Sequence, residues 1–380
     1  MQNVLITGGA GFIGSHLADE LLLRGYRVRA FDALVPQVHG DARKRPAHLH
    51  RDVELAIGDV RDSAAVDAAL DGIDAVFHFA ASIGSGESMY EVGQYVSVND
   101  VGTAVLMERV IARKIRRVVV ASSMSVYGEG LYCDSEGRIR EAPRARSPEQ
   151  LKLRSWEVVD ERGRPMKPFP TKETKSVSLE SVYALSKYDQ ERMCLMLGRA
   201  YGIATVALRF FNVYGPRQAL SNPYTGVLAI FASRLLDEKA PLVFEDGHQQ
   251  RDFVSVKDVA TACRLALEND RAAGMVFNVG SGKPRTVNEV ARKMADVLGK
   301  SKLAPEVTGR HRTGDVRHCF ADITLARDVL QYEPKVSLDA GLVELCDWLK
   351  KTPGLMAKHR AADAKRELEA NAHEAQELAP

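Results

Sequence analysis

The chain has 380 residues, of which 45% are hydrophobic, so it is long enough to bury one large core or a larger and a smaller one. Its 52 lysines and arginines balance 50 acidic residues, and a net charge of +2 excludes a global basic field that would select nucleic acid or anionic membranes. No apolar run approaches the roughly 18 residues of a membrane span, and no basic segment with a long apolar stretch opens the chain. We therefore expect a soluble, cytoplasmic protein.

The five cysteines are scattered along the chain without C-x-x-C spacing. That distribution disfavours both a zinc site and a disulfide framework. We expect free thiols in a reducing compartment and no bound metal.

Short apolar runs alternate with amphipathic segments along the first 210 residues. Continuous apolar runs are typical of strands covered on both faces, and helices between them require parallel crossovers. The pattern predicts strands at 4–6, 28–31, 53–57, 75–79, 118–121 and 205–209, and helices at about 13–24, 62–70, 91–113 and 181–201. The prediction is an α/β fold with a doubly wound parallel sheet of the Rossmann type.

The predicted domain organisation has three parts. Residues 1–210 form the sheet domain, in which the polar stretch 129–175 is a long insertion. Turn-rich pieces from 211 onward favour a smaller C-terminal α/β substrate lobe at 211–350, interleaved with the first domain. Residues 351–380 are rich in Ala, Glu and Lys and indicate a charged helical tail. The role of the insertion stays open between a wall of the substrate pocket, a lid and a subunit contact.

A glycine-rich loop joins the first predicted strand to the first helix. Gly8, Gly11 and Gly14 follow G-x-x-G-x-x-G spacing. Such glycines allow a sharp turn, let the backbone approach a pyrophosphate and let the helix pack on the strand. Asp32 ends the second strand, where a carboxylate accepts from ribose hydroxyls and repels a 2′-phosphate. The loop and Asp32 predict NAD rather than NADP; the alternative is a structural turn with a coincidental aspartate.

Asp59 follows the third predicted strand and has two interpretations. Its carboxylate could accept a hydrogen bond from the adenine amino group, or it could be the N-cap of the helix before Asp62 and Ser63.

Tyr183 and Lys187 lie four residues apart at the start of a predicted helix and so project from one face. A phenol titrates near pH 10 and is a poor base unless a neighbouring ammonium favours the phenolate. Such a pair is common on helices, but behind a dinucleotide loop it indicates proton transfer. Ser123 ends a buried strand at the edge where open α/β sheets bind ligands. We predict Ser123, Tyr183 and Lys187 as the catalytic residues, with Ser123 holding the substrate hydroxyl.

The order of these motifs resembles the extended short-chain dehydrogenases/reductases, in the branch of nucleotide-sugar epimerases and dehydratases. The resemblance runs from residue 1 to about 350 and includes the segments 77–81, 99–103, 122–128 and 183–187. It implies tightly held NAD, with His78 either near the cofactor or a satisfied core histidine. The cofactor contacts that it implies are Gly8, Gly11, Phe12, Ile13, Gly14, Asp32, Asp59, Val60, Phe79, Ala80, Ala81, Asn99, Ser122, Tyr183 and Lys187.

The resemblance also implies a nucleotide-sugar substrate, a dTDP- or UDP-hexose. Asn212 and Arg251 would contact the diphosphate, and Arg312 and Asp315 would lie near phosphate and ribose. Guanidinium groups suit phosphate oxygens and a carboxylate suits sugar hydroxyls; surface ion pairs are the alternative for the two arginines. The remaining partner implied is a second copy of the chain, since family members often form dimers through helices corresponding to 91–113 and 181–201.

Met124 and Ser125 narrow the reaction. Relatives that remove water carry an Asp-Glu pair at these positions, as acid and base, and Met124 and Ser125 cannot perform that proton transfer. Decarboxylating relatives carry a Glu at the Ser125 position, and 3,5-epimerising relatives carry a Cys. The prediction is an NAD-dependent nucleotide-sugar 4-epimerase with a transient 4-keto sugar. The alternatives are a 4-ketosugar reductase or dehydrogenase and a non-catalytic NAD-binding sensor. Residues 36–40 and 122–130 and the insertion resemble one subgroup of the 4-epimerases.

Overall fold

The computed structural model of the protein describes residues 2–40, 44–84, 86–142, 145–218, 226–311 and 315–352. The strands are β1 (Asn3–Thr7), β2 (Arg27–Asp32), β3 (Glu54–Ile57), β4 (Ala75–His78), β5 (Arg117–Ser123), β6 (Leu131–Cys133), β7 (Ile139–Glu141), β8 (Lys167–Phe169), β9 (Ala204–Phe210), β10 (Asn212–Tyr214), β11 (Leu242–Val243), β12 (Gln250–Ser255), β13 (Val276–Val279), β14 (Pro284–Thr286), β15 (Glu306–Val307) and β16 (His318–Cys319). The helices are α1 (Phe12–Leu23), α2 (Pro36–His39), α3 (Ser63–Ala69), α4 (Val92–Tyr95), α5 (Gly102–Ala112), α6 (Pro148–Lys152), α7 (Val182–Tyr201), α8 (Val227–Leu236), α9 (Val256–Glu268), α10 (Val287–Val297) and α11 (Leu338–Lys350).

Parallel strands form the main sheet, in the order β13-β9-β5-β4-β1-β2-β3. The strand order reverses between β1 and β4, and the crevice at the carboxyl ends of strands on either side of such a point is where ligands bind. The predicted doubly wound α/β fold is therefore confirmed. Its seventh strand, β13, was not predicted; it comes from a short run that a polar Asn278 interrupts.

The sheet is covered on both faces. On one face, buried residues of α1 and α9 such as Leu17, Leu21 and Val259 join the strands in one core. On the other face, α3, α5 and α7 contribute residues such as Leu106 and Leu195 to a second core. Because both faces are buried, the strands read as continuous apolar runs, and the carboxyl edge remains for polar groups.

The remaining elements form two smaller assemblies. A sheet of β10, β12, β14 and β16 lies beside a core of apolar residues from α8, α10 and α11. Within the predicted insertion, β6 pairs antiparallel with β7 and β8. Elements of 211–350 also enter the main layer, since β13 pairs with β9 and α9 packs on α1.

The predicted tail at 351–380 lies, from residue 353 onward, outside the described residues. Among the residues that the structure does describe, no helix is long and apolar enough to cross a membrane.

Candidate active site

The glycine loop lies between β1 and α1 at the carboxyl edge of the sheet. Gly8 has a φ of 68°, and its amide donates to the carbonyl oxygen of Phe31 at 2.8 Å. A Cβ on Gly14 would lie 2.4 Å from the Gly8 carbonyl oxygen, so internal packing requires glycine there. A Cβ on Gly11 would meet, among the described residues, only that same oxygen at 3.3 Å. The fold itself thus requires Gly14 far more than Gly11, and the space beside Gly11 suits a closely bound ligand.

Helix α1 begins directly after Gly11. Within the described residues no side chain caps this helix, and its first turn contains no acidic residue. The amides of Phe12 and Ile13 precede the first complete helical turn and so need partners from outside the helix. A helix N-terminus of this kind favours phosphate, and the loop therefore fits the pyrophosphate of a dinucleotide.

Asp32 is held rigidly at the end of β2. Its carboxylate accepts from the amide of Ala10 at 3.0 Å and from that of Leu34 at 2.9 Å, and His39 Nε2 lies 3.5 Å from Oδ1. The backbone bonds join the end of β2 to the glycine loop. Asp32 thus supports the shape of the loop and presents its carboxylate at the predicted ribose position.

Asp59 does not cap the following helix. The N-cap of α3 is Asp62, whose carboxylate accepts from the amides of Ala64 and Ala65, so the capping interpretation of Asp59 is wrong. Asp59 instead accepts from Nε and Nη2 of Arg61, at 2.9 and 2.6 Å, and this hydrogen bonding lowers the pKa of its carboxyl. The adenine contact predicted for Asp59 stays a prediction.

The residues after β4 are joined to β1 by one hydroxyl. Thr7 Oγ1 accepts from the amides of Phe79 and Ala80, each at 3.1 Å. A Cβ on Gly8 would lie 3.0 Å from the Ala80 nitrogen. The end of β4 therefore lies directly against the glycine loop. The residues that follow it are three of those predicted to contact the cofactor, Phe79, Ala80 and Ala81.

His78 is a fully buried core histidine with partners on both ring nitrogens. Nδ1 lies 2.8 Å from Thr7 Oγ1, and Nε2 lies 2.8 Å from Thr103 Oγ1. Thr103 donates its own proton to the carbonyl of Asn99, which assigns the ring proton of His78 to Nε2. Burial, with a smaller contribution from the charge of Lys187, lowers the pKa of His78 to about 3. The structure therefore favours the satisfied core residue among the two interpretations.

This burial predicts acid sensitivity. Unfolded His78 takes up a proton near its ordinary pKa of 6.5, whereas folded His78 resists until about pH 3, so its favourable contribution is complete above pH 6.5 and declines as the pH falls towards 3. In His78→Gln this proton uptake is absent. We expect the difference in the free energy of unfolding between parent and variant to shrink between pH 7 and 4.5, measured by urea denaturation. His50→Gln, at a largely exposed histidine, is the control; a pH-independent difference for His78→Gln would contradict this assignment.

Asn99 lies in a π-helical turn, Val96–Val101, that joins α4 to α5. Its buried amide group accepts from the amide of Ser82 at 2.7 Å and donates to Ser186 Oγ at 2.8 Å. Asn99 thus links the segment after β4 to α7, the helix that carries Tyr183 and Lys187. Ser82 and Ser186 were not predicted as part of this site.

Ser123 ends β5 and faces Tyr183. Its Oγ accepts from the amide and the hydroxyl of Ser125, at 3.2 and 2.9 Å, which leaves its own proton available. Burial raises the pKa of the Tyr183 phenol, and the hydrogen bond with Ser123 opposes that shift. The Tyr183 amide donates to Ser88 Oγ at 3.0 Å, and the edge of its ring meets Tyr95. The predicted pair Ser123 and Tyr183 is therefore brought together.

Lys187 lies one helical turn after Tyr183 and is buried. Its Nζ donates to Gln190 Oε1 at 2.7 Å, and Gln190 Nε2 donates to Thr103 Oγ1 at 2.8 Å. Burial lowers the pKa of Lys187 to about 8, although nearby Cys194, Glu191 and Asp100 oppose the shift. Gln190 was missed in the sequence; it could have been found because residues three apart share a helical face.

Ser122 points into a buried network behind the site. Its hydroxyl donates to Glu191 at 2.7 Å, and Glu191 accepts two hydrogen bonds from Arg209 at 2.9 and 2.7 Å. The guanidinium carbon of Arg209 lies 4.7 Å from the ring centre of Tyr127. The hydroxyl of Ser122 is therefore engaged by the protein, and its predicted cofactor contact stays a prediction.

Two of the predicted substrate residues, Asn212 and Arg251, lie in the smaller sheet. Asn212 begins β10, and its buried Oδ1 has no hydrogen-bond partner among the described residues. Arg251, on β12, lies 3.4 Å from the carboxylate of Asp315 and donates to the carbonyl of Arg317 at 2.9 Å. Arg251 is thus paired but largely buried, unlike a surface ion pair. Arg312 lies outside the described residues.

Known proteins are similar to this chain over most of its length. The model of the NAD dependent epimerase/dehydratase family matches residues 4–280. A dTDP-L-rhamnose 4-epimerase from Burkholderia thailandensis is 36% identical over 361 residues, which cover 92% of this chain and 95% of that protein.

Solved structures are similar over nearly the whole chain. UDP-glucose 4-epimerase from Thermotoga maritima, solved with UDP-glucose, has a TM-score of 0.75 and 31% identity, covering 93% of this chain and 100% of that one. UDP-glucuronic acid 4-epimerase from Bacillus cereus, solved with UDP-glucuronic acid and NAD, has a TM-score of 0.75 and 27% identity, covering 92% and 99%. The similarity therefore includes both the sheet and the smaller substrate-side elements.

Proposed function

This chain belongs to the NAD-dependent epimerase/dehydratase family, and we propose that it interconverts nucleotide sugars that differ in configuration at C4 of the hexose. The family predicted from the motifs is confirmed, as is NAD as its cofactor. The subgroup indicated by residues 36–40 and 122–130 is that of dTDP-L-rhamnose 4-epimerase, the relative at 36% identity. The observation that carries the proposal is the hydrogen bond between Ser123, at the end of β5, and Tyr183, one helical turn before buried Lys187.

The chain's own residues fit NAD. The loop Gly8–Gly14 and the amides of Phe12 and Ile13 would hold the pyrophosphate, and Asp32 would accept from the ribose hydroxyls. Bound NAD would accept a hydride from the sugar carbon and later return it. The same loop thus explains why the protein would retain its cofactor through a complete cycle.

Each catalytic residue has a task set by its environment. Tyr183 would take the proton of the C4 hydroxyl during oxidation and return a proton during reduction. Burial raises the pKa of the Tyr183 phenol, and the positive charge of Lys187, one helical turn away, would favour the phenolate. Ser123 would donate its proton to the substrate oxygen in place of its hydrogen bond with Tyr183, because its acceptor sites are already used by Ser125. The 4-keto sugar would then turn its other face before reduction.

The substrate side supports a nucleoside diphosphate sugar. Arg251 suits the diphosphate, Asp315 suits a ribose hydroxyl, and the amide oxygen of Asn212 has no partner within the part of the chain that the structure describes. We infer that the substrate is a dTDP- or UDP-hexose, because the similar proteins include a dTDP-L-rhamnose 4-epimerase and a UDP-glucose 4-epimerase.

A panel of nucleotide sugars tests the function. The purified protein, with its retained NAD, is incubated with dTDP-, UDP-, GDP- and CDP-hexoses, and the 4-epimer is followed by NMR. We expect epimer formation without net consumption of NADH. Stoichiometric NADH consumption with a 4-keto sugar would replace the epimerase by a reductase, and binding of NAD without turnover of any sugar would indicate a sensor.

We also propose a homodimer that acts in the cytoplasm. Apolar side chains on α4, its π turn and α7 are exposed, namely Val92, Val96, Leu185 and Met196. An exposed apolar stripe on two adjacent helices suits association with the same stripe on a second copy of the chain. The five cysteines are free, as expected in a reducing compartment. Sedimentation of the purified protein, compared with Leu185→Lys, tests the dimer.

A further inference from the structure

A buried network of charged residues joins the insertion to the C-terminal lobe. We refer to it as the clamp. Its members from the insertion are Glu129, Arg146 and Glu157, and its members from the lobe are Glu245, Asp246, Arg317 and His318.

Arg317 is the centre of the clamp and is completely buried. Its guanidinium donates to Glu157 of the insertion and, on the lobe side, to Glu245 at 2.8 Å and Asp246 at 2.7 Å. Removing one member of such a buried set leaves uncompensated charge, which is strongly unfavourable. The insertion is therefore fixed to the lobe, which argues against its acting as a mobile lid.

The insertion also holds the main chain of residues 315–318. Arg146 donates to the carbonyl of Asp315 at 2.7 Å and to the carboxylate of Glu245 at 2.7 Å. Glu129 accepts from the amides of Arg317 and His318, at 2.6 and 3.1 Å. The carbonyl of Asp315 and the amides of Arg317 and His318 are thus held by side chains of the insertion.

The same segment carries the predicted nucleotide-binding groups. Asp315 belongs to it, and Arg251 donates to the carbonyls of Val316 and Arg317. A second connection runs through His318, whose Nε2 lies 3.0 Å from Glu157 while its Nδ1 accepts from the amide of Gln250 at 3.1 Å. The clamp therefore reaches both sides of the Arg251 and Asp315 pair.

We propose that Arg146 and Glu157 are positioning residues that set the geometry of Arg251 and Asp315 for the nucleoside diphosphate half of the substrate. This inference rests on the proposed function and assigns the insertion a role in substrate affinity. The chemistry at C4 is independent of the clamp, because Ser123, Tyr183 and Lys187 receive no hydrogen bond from it among the described residues.

The test measures binding apart from catalysis. UDP and dTDP are titrated into the NAD-loaded full-length protein by calorimetry, and KM and kcat are determined with the preferred nucleotide sugar. The variants are Arg146→Gln, Arg146→Lys and Glu157→Gln. Arg138→Gln is the matched control, because it changes a half-exposed arginine in another turn of the insertion that pairs with Asp134.

For Arg146→Gln and Glu157→Gln we expect the Kd of the nucleoside diphosphate and the KM to rise by about tenfold, the loss of one charge-assisted hydrogen bond, with kcat and NAD content unchanged. Arg146→Lys should lie between them and the parent, and Arg138→Gln should match the parent. Should Arg146→Gln not fold, Glu157→Gln still decides, since the side chain of Glu157 is 38% exposed.

Other outcomes separate the two hypotheses. Unchanged Kd and KM in both neutral variants, or a fall in kcat with constant KM, would overturn the positioning role while the epimerase stands. If the parent protein binds neither UDP nor dTDP and forms an epimer from no nucleotide sugar of the panel, the proposed function fails and this inference fails with it.

Discussion

Tyr183→Phe is expected to lower kcat by about 10²–10⁴-fold, the usual contribution of a general acid-base group. The variant keeps the ring that meets Tyr95 and the backbone amide that donates to Ser88, and it loses only the phenolic oxygen. Without that oxygen, the remaining described partner of Ser123 is the hydroxyl of Ser125, which cannot take the C4 proton at neutral pH. NAD retention should persist, because the glycine loop and Asp32 are untouched.

Two measurements check this expectation. Epimer formation is followed by NMR under saturating substrate, and bound NAD is quantified after denaturation of the purified protein. Tyr201→Phe provides the control, because Tyr201 ends the same helix and is 60% exposed. Activity in Tyr183→Phe equal to that of the control would remove Tyr183 from the mechanism.

Arg209→Met is expected to lower the free energy of unfolding by about 3–5 kcal/mol, the usual effect of removing one partner of a buried ion pair. Glu191 is 1% exposed and would lose both of its guanidinium hydrogen bonds; the hydroxyl of Ser122 would be its one remaining side-chain donor among the described residues. Tyr127 would lose the cation above its ring at the same time.

A second variant separates unpaired charge from lost packing. In Arg209→Met combined with Glu191→Leu both members of the buried ion pair are replaced and neither charge is left orphaned, so much of the lost stability should return. Urea denaturation of the parent, the single variant and the double variant measures this. A double variant less stable than Arg209→Met alone would show that packing around Arg209, and not the orphaned carboxylate, dominates.

The parts of the site that could be predicted are those encoded within one turn or one strand end. The spacing of Gly8, Gly11 and Gly14, and that of Tyr183 and Lys187, follows directly from the geometry of a loop and a helix. Strand positions followed from apolar runs, because a sheet buried on both faces requires them. For these features the relevant neighbours are close in sequence.

Features that depend on distant partners could not be predicted. Arg317 meets Glu157 across 160 positions, and no local pattern distinguishes it from a surface arginine. The short strand β13 exists because β9 offers it an edge, as its own four residues lack a clear signal. The hydroxyl of Ser122 donates to Glu191, 69 residues later, and no local pattern indicates that contact.

Because of the π turn at Val96–Val101, the helical segment presents side chains in one direction before the turn and in another direction after it, and so contacts two different parts of the protein. A π turn contains more residues than an ordinary turn, so the positions before and after it are offset relative to a regular α-helix. Asn99 can therefore meet Ser82 and Ser186, while Leu106 and Val110 beyond the turn still face the core. Deletion of one residue here would make the segment a regular α-helix. Either the contacts of Asn99 or the packing of Leu106 and Val110 would then be lost. The length of this helix is thus constrained as strictly as its composition.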